Sequence, residues 1–241
     1  MYPIEIRHEQ SESAEQRAYD SIYAAQGIRQ RDSFYLWFLA QVPRCGDGRL
    51  LDVSCGEGAF LVFARRAGFR AVGIDFSLAA LRKLPATHDG APVALANAQQ
   101  LPFADNSFDS VTNIGSLEHY FDPAAGVREM ARVLRPGGVA LILLPNTFGL
   151  FGNIMHVLRY GEVYDDGQPL QRYASRASWA RLLSANGLIP ERVVGYELAA
   201  PRTVGDLLWF LRRPWKIARL LLSPFVPINL SNMLVFICHK A

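Results

Sequence analysis

Between Arg49 and Asp75 the chain reads as strand, glycine turn, helix and second strand, an order that leaves few folds open. Arg49 to Ser54 is a short, largely apolar run closing on Cys55-Gly56-Glu57-Gly58, the pattern of a buried strand entering a tight turn. Ala59 to Ala67 follows as a helix stopped at Gly68, and Arg70 to Asp75 as a second strand. Two strands joined through a helix run parallel, because the crossover returns the chain to the same end of the sheet. The alternation continues through Leu78 to Leu84, Pro92 to Ala96, Phe108 to Ile114, Pro123 to Leu134 and Val139 to Leu144. The last of these is wholly apolar, as a central strand covered on both faces requires. An α/β fold is therefore expected, with a mostly parallel sheet, helices on both faces and right-handed crossovers.

Composition narrows the partners. Half of the 241 residues are hydrophobic, enough for a substantial core. The net charge of +3 is too mild for a nucleic-acid footprint, so no nucleic-acid partner is expected. Cys45, Cys55 and Cys238 are odd in number and lack metal-ligand spacing, which argues against a disulfide framework and against a metal site. The N-terminal stretch has no apolar signal-type region, and no apolar run reaches the ~18 residues of a spanning helix. A cytoplasmic location in a reducing compartment is the expectation.

Three features of the turn bear on chemistry. Gly56 and Gly58 let backbone approach a ligand where a Cβ would clash, although an ordinary strand-to-helix turn needs the same residues. Asp75 closes the second strand about twenty positions later, where a carboxylate can bind both hydroxyls of a ribose. Ser77 can cap the following helix, which frees Asp75 from that duty. Ala59-Phe60-Leu61 stands where a dinucleotide-binding turn would carry its third glycine. Asp52, before the turn, suits a ligand bearing an ammonium group and repels a pyrophosphate.

From Leu50 to Pro145 the chain resembles the class I S-adenosylmethionine-dependent methyltransferases, specifically the type 11 family. Leu51-Asp52-Val53-Ser54-Cys55-Gly56-Glu57-Gly58 matches that family's first motif, and Gly73-Ile74-Asp75-Phe76-Ser77 its second. Ala96-Asn97-Ala98-Gln99-Gln100-Leu101-Pro102-Phe103 matches the third loosely, and Asp105-Asn106-Ser107-Phe108-Asp109-Ser110-Val111 matches the fourth. Glu118-His119 and Arg132-Val133-Leu134-Arg135-Pro136-Gly137-Gly138 complete the series. The resemblance implies a doubly wound, Rossmann-like sheet of seven strands, with an N-terminal helical lid and insertions after the fifth and sixth strands. It implies a single domain over 1–241: a lid over 1–44, a cofactor-binding core over 45–145, and acceptor-side insertions with the last strands over 146–241.

The cofactor it implies is S-adenosylmethionine. Backbone at Ser54, Cys55, Gly56 and Gly58 would hold the methionine portion, with Asp52 orienting its amino group. Asp75 would bind the ribose hydroxyls and Phe76 would pack on the adenine. Asn97, Ala98 and Gln99 would meet the adenine edge, and Asn113 would face the methionine portion and the methyl group. Ser54 departs from the family's glycine, so it must keep φ negative or carry strain. Asn97 departs from the usual aspartate, and its amide oxygen can still accept from an amino group.

Methyl transfer needs alignment and dryness first, and an oxygen or nitrogen acceptor also needs a base. His119 is the first candidate and His156 the second; a packed structural histidine and a surface histidine are the plainer readings. Tyr19 and Tyr23 sit on the lid helix. Phe148, Phe151, Met155, Tyr160, Tyr164 and Tyr173 would wall the acceptor end, which implies an apolar or ring-containing small molecule methylated on oxygen. The alternatives are a lipid-linked acceptor, such as a quinone precursor or a lipid-carried sugar, and a non-catalytic cofactor-binding module. Residues 201–228 interleave Trp, Leu and basic residues, which suits a membrane surface, an amphiphilic acceptor, the core or the face of a homodimer. Pro214 divides that stretch into two short helices.

Overall fold

The computed structural model describes residues 3–84 and 90–241. Residues 1 and 2, which open the expected lid segment, lie outside them.

Seven strands form one sheet: β2 (Arg49–Val53), β3 (Arg70–Asp75), β4 (Val93–Leu95), β5 (Phe108–Ile114), β6 (Leu134–Pro145), β8 (Leu188–Tyr196) and β9 (Met233–Lys240). Their spatial order is β4-β3-β2-β5-β6-β9-β8. The first five run parallel, while β9 lies antiparallel between β6 and β8. This is the doubly wound, mostly parallel sheet that the alternation implied. The order reverses at β2, so β3 and β5 diverge on either side of the first glycine turn and leave a crevice at the strand ends.

Side-chain alternation feeds a core on each face. Along β6, Ala140, Ile142 and Leu144 join one cluster with Met130 of α5 (Pro123–Val133) and Trp179 of α7 (Arg176–Ala185). Val139, Leu141 and Leu143 join the other, with Phe34 and Phe38 of α2 (Asp32–Leu39) and Phe60 and Leu61 of α3 (Ala59–Arg66). At about 25 cal/mol per Å2, burying a side chain such as Leu141 contributes roughly 1.5–3 kcal/mol.

Local chemistry sets the helix ends. Ser11 caps α1 (Glu12–Ala25), and Ser77 caps α4 (Leu78–Arg82) by accepting from Ala80 N at 3.1 Å. Gly27, at φ 74°, separates α1 from α2. The Arg135-Pro136-Gly137-Gly138 stretch, expected to be a loop before the fifth strand, is instead the extended start of β6. At Gly138 a Cβ would come within 2.8 Å of the Asp109 carbonyl, so glycine is what lets the two strands close.

One strand pairing gave no warning. β1 (Ile4–Arg7) pairs antiparallel with β7 (Leu170–Tyr173), forming a two-stranded sheet outside the main one. It staples the N-terminal segment to the insertion after β6, and the insertion also carries α6 (Met155–Tyr160). Beyond β8 come α8 (Val204–Leu211) and α9 (Pro214–Leu222), the two short helices expected on either side of Pro214.

Candidate active site

The carboxyl ends of β2, β3, β5 and β6 open into one cavity of about 880 Å3. The turn after β2 forms its floor. Ser54 sits in the left-handed region at φ 63°, so this departure from glycine carries the strain that its sequence position implied. Its hydroxyl shares a 2.7 Å hydrogen bond with Tyr120 Oη, an anchor that offsets part of the cost. Gly56 lies at φ 54°, and a Cβ there would come within 2.8 Å of Tyr23 Oη.

Two buried carboxyl groups flank that turn. Asp75 accepts from Gly56 N and from Ser77 N, each at 2.8 Å. Burial pushes its pKa up to about 6. Asp52 accepts from Thr112 Oγ1 at 2.7 Å, and burial pushes it up to about 7. Both lose hydration on folding and would gain from a cation or a hydrogen-bond donor placed in the cavity.

Of the residues expected at the cofactor, Asp52, Ser54, Cys55, Gly56, Asp75 and Phe76 line the cavity, as do Asn97, Ala98 and Gln99. Gly58 does not line it: it caps α3 at φ 70°, and a Cβ would lie 2.4 Å from a Leu84 methyl. Asn113 is also outside the lining. Its Nδ2 donates to the Val53 carbonyl at 3.1 Å and to Tyr120 Oη at 2.8 Å, while its Oδ1 accepts from Leu117 N at 2.9 Å. The amide is consumed in pinning two strands and a turn, so it faces inward and not toward a methyl group. Ile114, one residue on, lines the cavity instead.

Asn97 is likewise engaged. Its Oδ1 accepts from Gln99 N at 2.8 Å, and its Nδ2 donates to Glu12 Oε1 at 2.6 Å. Gln99 Nε2 reaches the same Glu12 oxygen at 2.8 Å. Glu12 thus latches α1 over the loop after β4, a contact that no motif announced.

At the other end, His119 and His156 both line the cavity. His119 donates from Nδ1 to the Leu170 carbonyl and is buried, which pulls its pKa down. His156 lies between the rings of Tyr160 and Tyr164, with centroids 4.6 and 5.3 Å away. Glu118, the neighbour of His119 in the short 3-10 turn Leu117–His119, is the group that sequence reasoning passed over. It is 3% exposed, burial pushes its pKa up to about 8, and its Oε2 has no hydrogen-bond partner among the described residues. Gln171 Oε1 of β7 is also buried without a partner, and both residues line the cavity. The Glu118-His119 pair was visible in the sequence, but Gln171 depends on a strand pairing that was not.

Residues 51–142 match the model of the methyltransferase domain family. The chain carries a class I S-adenosylmethionine-dependent methyltransferase domain. The demethylmenaquinone methyltransferase of Corynebacterium kroppenstedtii is 38% identical over 96 residues, covering 40% of this chain and 41% of that one. The chain thus spans about two-fifths of the length of the curated relatives it matches first. Among solved structures, the cyclase SpnF superposes with a TM-score of 0.66 at 18% identity, covering 98% of each chain. The geranyl diphosphate C-methyltransferase of Streptomyces coelicolor gives 0.64 at 15% identity, over 96% of this chain and 100% of that one. These likenesses establish the methyltransferase fold across nearly the whole chain. One of them being a cyclase, the fold leaves the reaction to the site.

Proposed function

We propose that this methyltransferase domain moves a methyl group from S-adenosylmethionine to a hydroxyl oxygen of an apolar, ring-containing small molecule. The observation that carries the reading is one continuous cavity. It joins Asp52, Ser54 and Asp75 at the strand ends to Phe151, Tyr160, Tyr164 and Tyr173 of the later insertion.

The cofactor fits the residues present. It is a cation bearing an ammonium group and two ribose hydroxyls, and Asp52 and Asp75 are under-solvated acids at the place where those groups would lie. The cradle at Gly56 has no room for a side chain. Asp75 would hold the ribose hydroxyls, Asp52 the ammonium group, and the loop Asn97 to Gln99 the adenine edge. When bound, the sulfonium supplies a methyl carbon already activated toward nucleophiles.

The protein's own part is alignment, exclusion of water and removal of one proton. Glu118 lines the cavity with a buried carboxyl whose Oε2 has no partner; turned toward the cavity, that carboxyl would accept from an acceptor hydroxyl, and a raised pKa matches it to a weakly acidic hydroxyl. Gln171 Oε1 offers a second acceptor to the same substrate. His119, pinned through Nδ1, positions the turn that carries Glu118 and is reassigned from base to positioning residue. His156, between two tyrosines, belongs to the aromatic wall.

A lipid-linked acceptor is the second reading, favoured by the apolar side chains exposed on α9, which borders the cavity through Lys216 and Arg219. Purified protein incubated with methyl-labelled S-adenosylmethionine, a panel of phenols and membrane lipid extracts tests both. Label entering a phenol supports the first reading, and label entering only lipid supports the second. Label that never leaves the donor, while S-adenosylhomocysteine still binds, points to a non-catalytic cofactor-binding module.

A further inference from the structure

We infer that α6, α8 and α9 form a docking surface for an anionic phospholipid bilayer, with the cavity mouth held against it. The first observation is unmet apolar area. α9 carries Trp215, Ile217, Leu220, Leu221 and Leu222 in nine residues, yet none of its side chains is buried. Trp215 is 62% exposed, Leu221 68%, and Phe225 in the following turn 81%. A helix of a water-soluble domain normally turns its apolar stripe onto the core. Here Ile217 and Leu220 are half-buried, while Trp215, Leu221 and Leu222 face out, as do Leu207, Leu208 and Leu211 of α8.

A second apolar element borders the same opening. α6 has no buried residue either, and Met155 and Leu158 stand exposed on it, Leu158 at 77%. Met155 and Arg159 of α6 and Lys216 and Arg219 of α9 all line the cavity. The two helices therefore flank one mouth, and Arg219 lies over the Phe151 ring at 5.2 Å between them.

Charge selects the occupant. Asp206 is the one acid of residues 201–228. Its carboxylate is taken up by the start of α2, accepting from Arg31 Nη1 at 3.0 Å and from Ser33 N at 2.9 Å. Arg219 is paired with Glu197 at 2.9 Å. Arg212, Arg213 and Lys216 meet no acidic side chain among the described residues, and burial together with Arg219 and Arg213 disfavours the charge on Lys216. Apolar area rimmed by unpaired cations matches a bilayer of acyl chains under anionic head groups. A second copy across a two-fold axis would instead set the same cations against themselves. Among the described residues no helix is long and apolar enough to cross a membrane, so the contact is peripheral. The inference does not depend on methyl transfer.

Co-sedimentation without any methyl donor tests it. The probes are vesicles of phosphatidylcholine alone and vesicles with about a third phosphatidylglycerol. The expected results are sedimentation with the anionic vesicles, partition falling severalfold as salt is raised, and a blue shift of tryptophan emission on binding. Arg212→Glu/Arg213→Glu should weaken partition about tenfold or more while S-adenosylhomocysteine binding stays unchanged. The comparison of vesicle types needs no variant, so misfolding cannot imitate the result. Failure to sediment at low salt, equal binding to both vesicle types, or a stable solution dimer that shields Trp215 would each overturn the inference.

Discussion

The strand ends of β2 to β5 and the segments added after Pro145 bury their residues on different terms. At the strand ends the polar side chains are held in place by the protein itself: Asp75 by two backbone N–H groups, Asn113 by three partners, Asp52 Oδ1 by Thr112. In the later segments no residue of α6 or α9 is fully buried, and two acceptors, Glu118 Oε2 and Gln171 Oε1, stand unpaired where those segments meet the core. A site for a fixed ligand can be built tightly in advance. A site for a variable acceptor keeps open valences and exposed walls.

The largest expected effect tests the open valence. Glu118→Gln should lower turnover ~10²–10⁴-fold, the scale of a lost general base, and leave S-adenosylhomocysteine affinity within about twofold. His119→Ala should cost less than ~10-fold if that ring only positions the turn. A larger loss in His119→Ala than in Glu118→Gln, with pH–rate profiles to match, would return the base to the histidine. Tyr19, His119, Tyr120, Arg172, Tyr173 and Asp166 face Glu118, so the profile reports the whole cluster.

The second prediction concerns the committed half. Asp52 and Asp75 titrate near 7 and 6 in the free protein, against an ordinary 3.8. Acids with raised pKa values favour the folded state while protonated. Their contribution to stability is therefore lost as pH climbs from about 4 through about 7. Cofactor binding needs both carboxylates, so affinity should move the other way, weakening by up to about a hundredfold between pH 7.5 and 5.5. Thermal melts with and without S-adenosylhomocysteine at the two pH values measure both trends. Affinity that is flat with pH would remove both acids from the binding step.

The smallest effect is at Ser54. Ser54→Gly relieves a left-handed residue worth about 1 kcal/mol and loses one hydrogen bond to Tyr120 worth about 1 kcal/mol. Stability measured by urea unfolding should change by less than about 0.5 kcal/mol. A large loss would mean that Tyr120 depends on the serine.

The same contrast explains what the sequence made legible. The glycine turn, Asp75 and the strand alternation are demands of backbone geometry, and they read directly. Asn113 was expected at the methyl group because its place at a strand end is visible while the direction of its side chain is not: Ile114 lines the cavity, and the Asn113 amide turns into the sheet. β1 shows two-residue alternation in Ile4-Glu5-Ile6-Arg7, but its partner lies over 160 residues away, so the pairing that brings Gln171 to the cavity has no local signature. Glu12 reaches Asn97 in the same way, through packing alone.

The central claim is that the turn after β2 and the end of β3 hold S-adenosylmethionine. Calorimetric titration of S-adenosylhomocysteine into the wild-type protein and Asp75→Ala tests it most directly. The account predicts micromolar or tighter binding to wild type, weakened by ~1.5–3 kcal/mol in the variant, the scale of buried hydroxyls left without a charged acceptor. Equal affinity in the two proteins, or binding of a nicotinamide dinucleotide in its place, would contradict it.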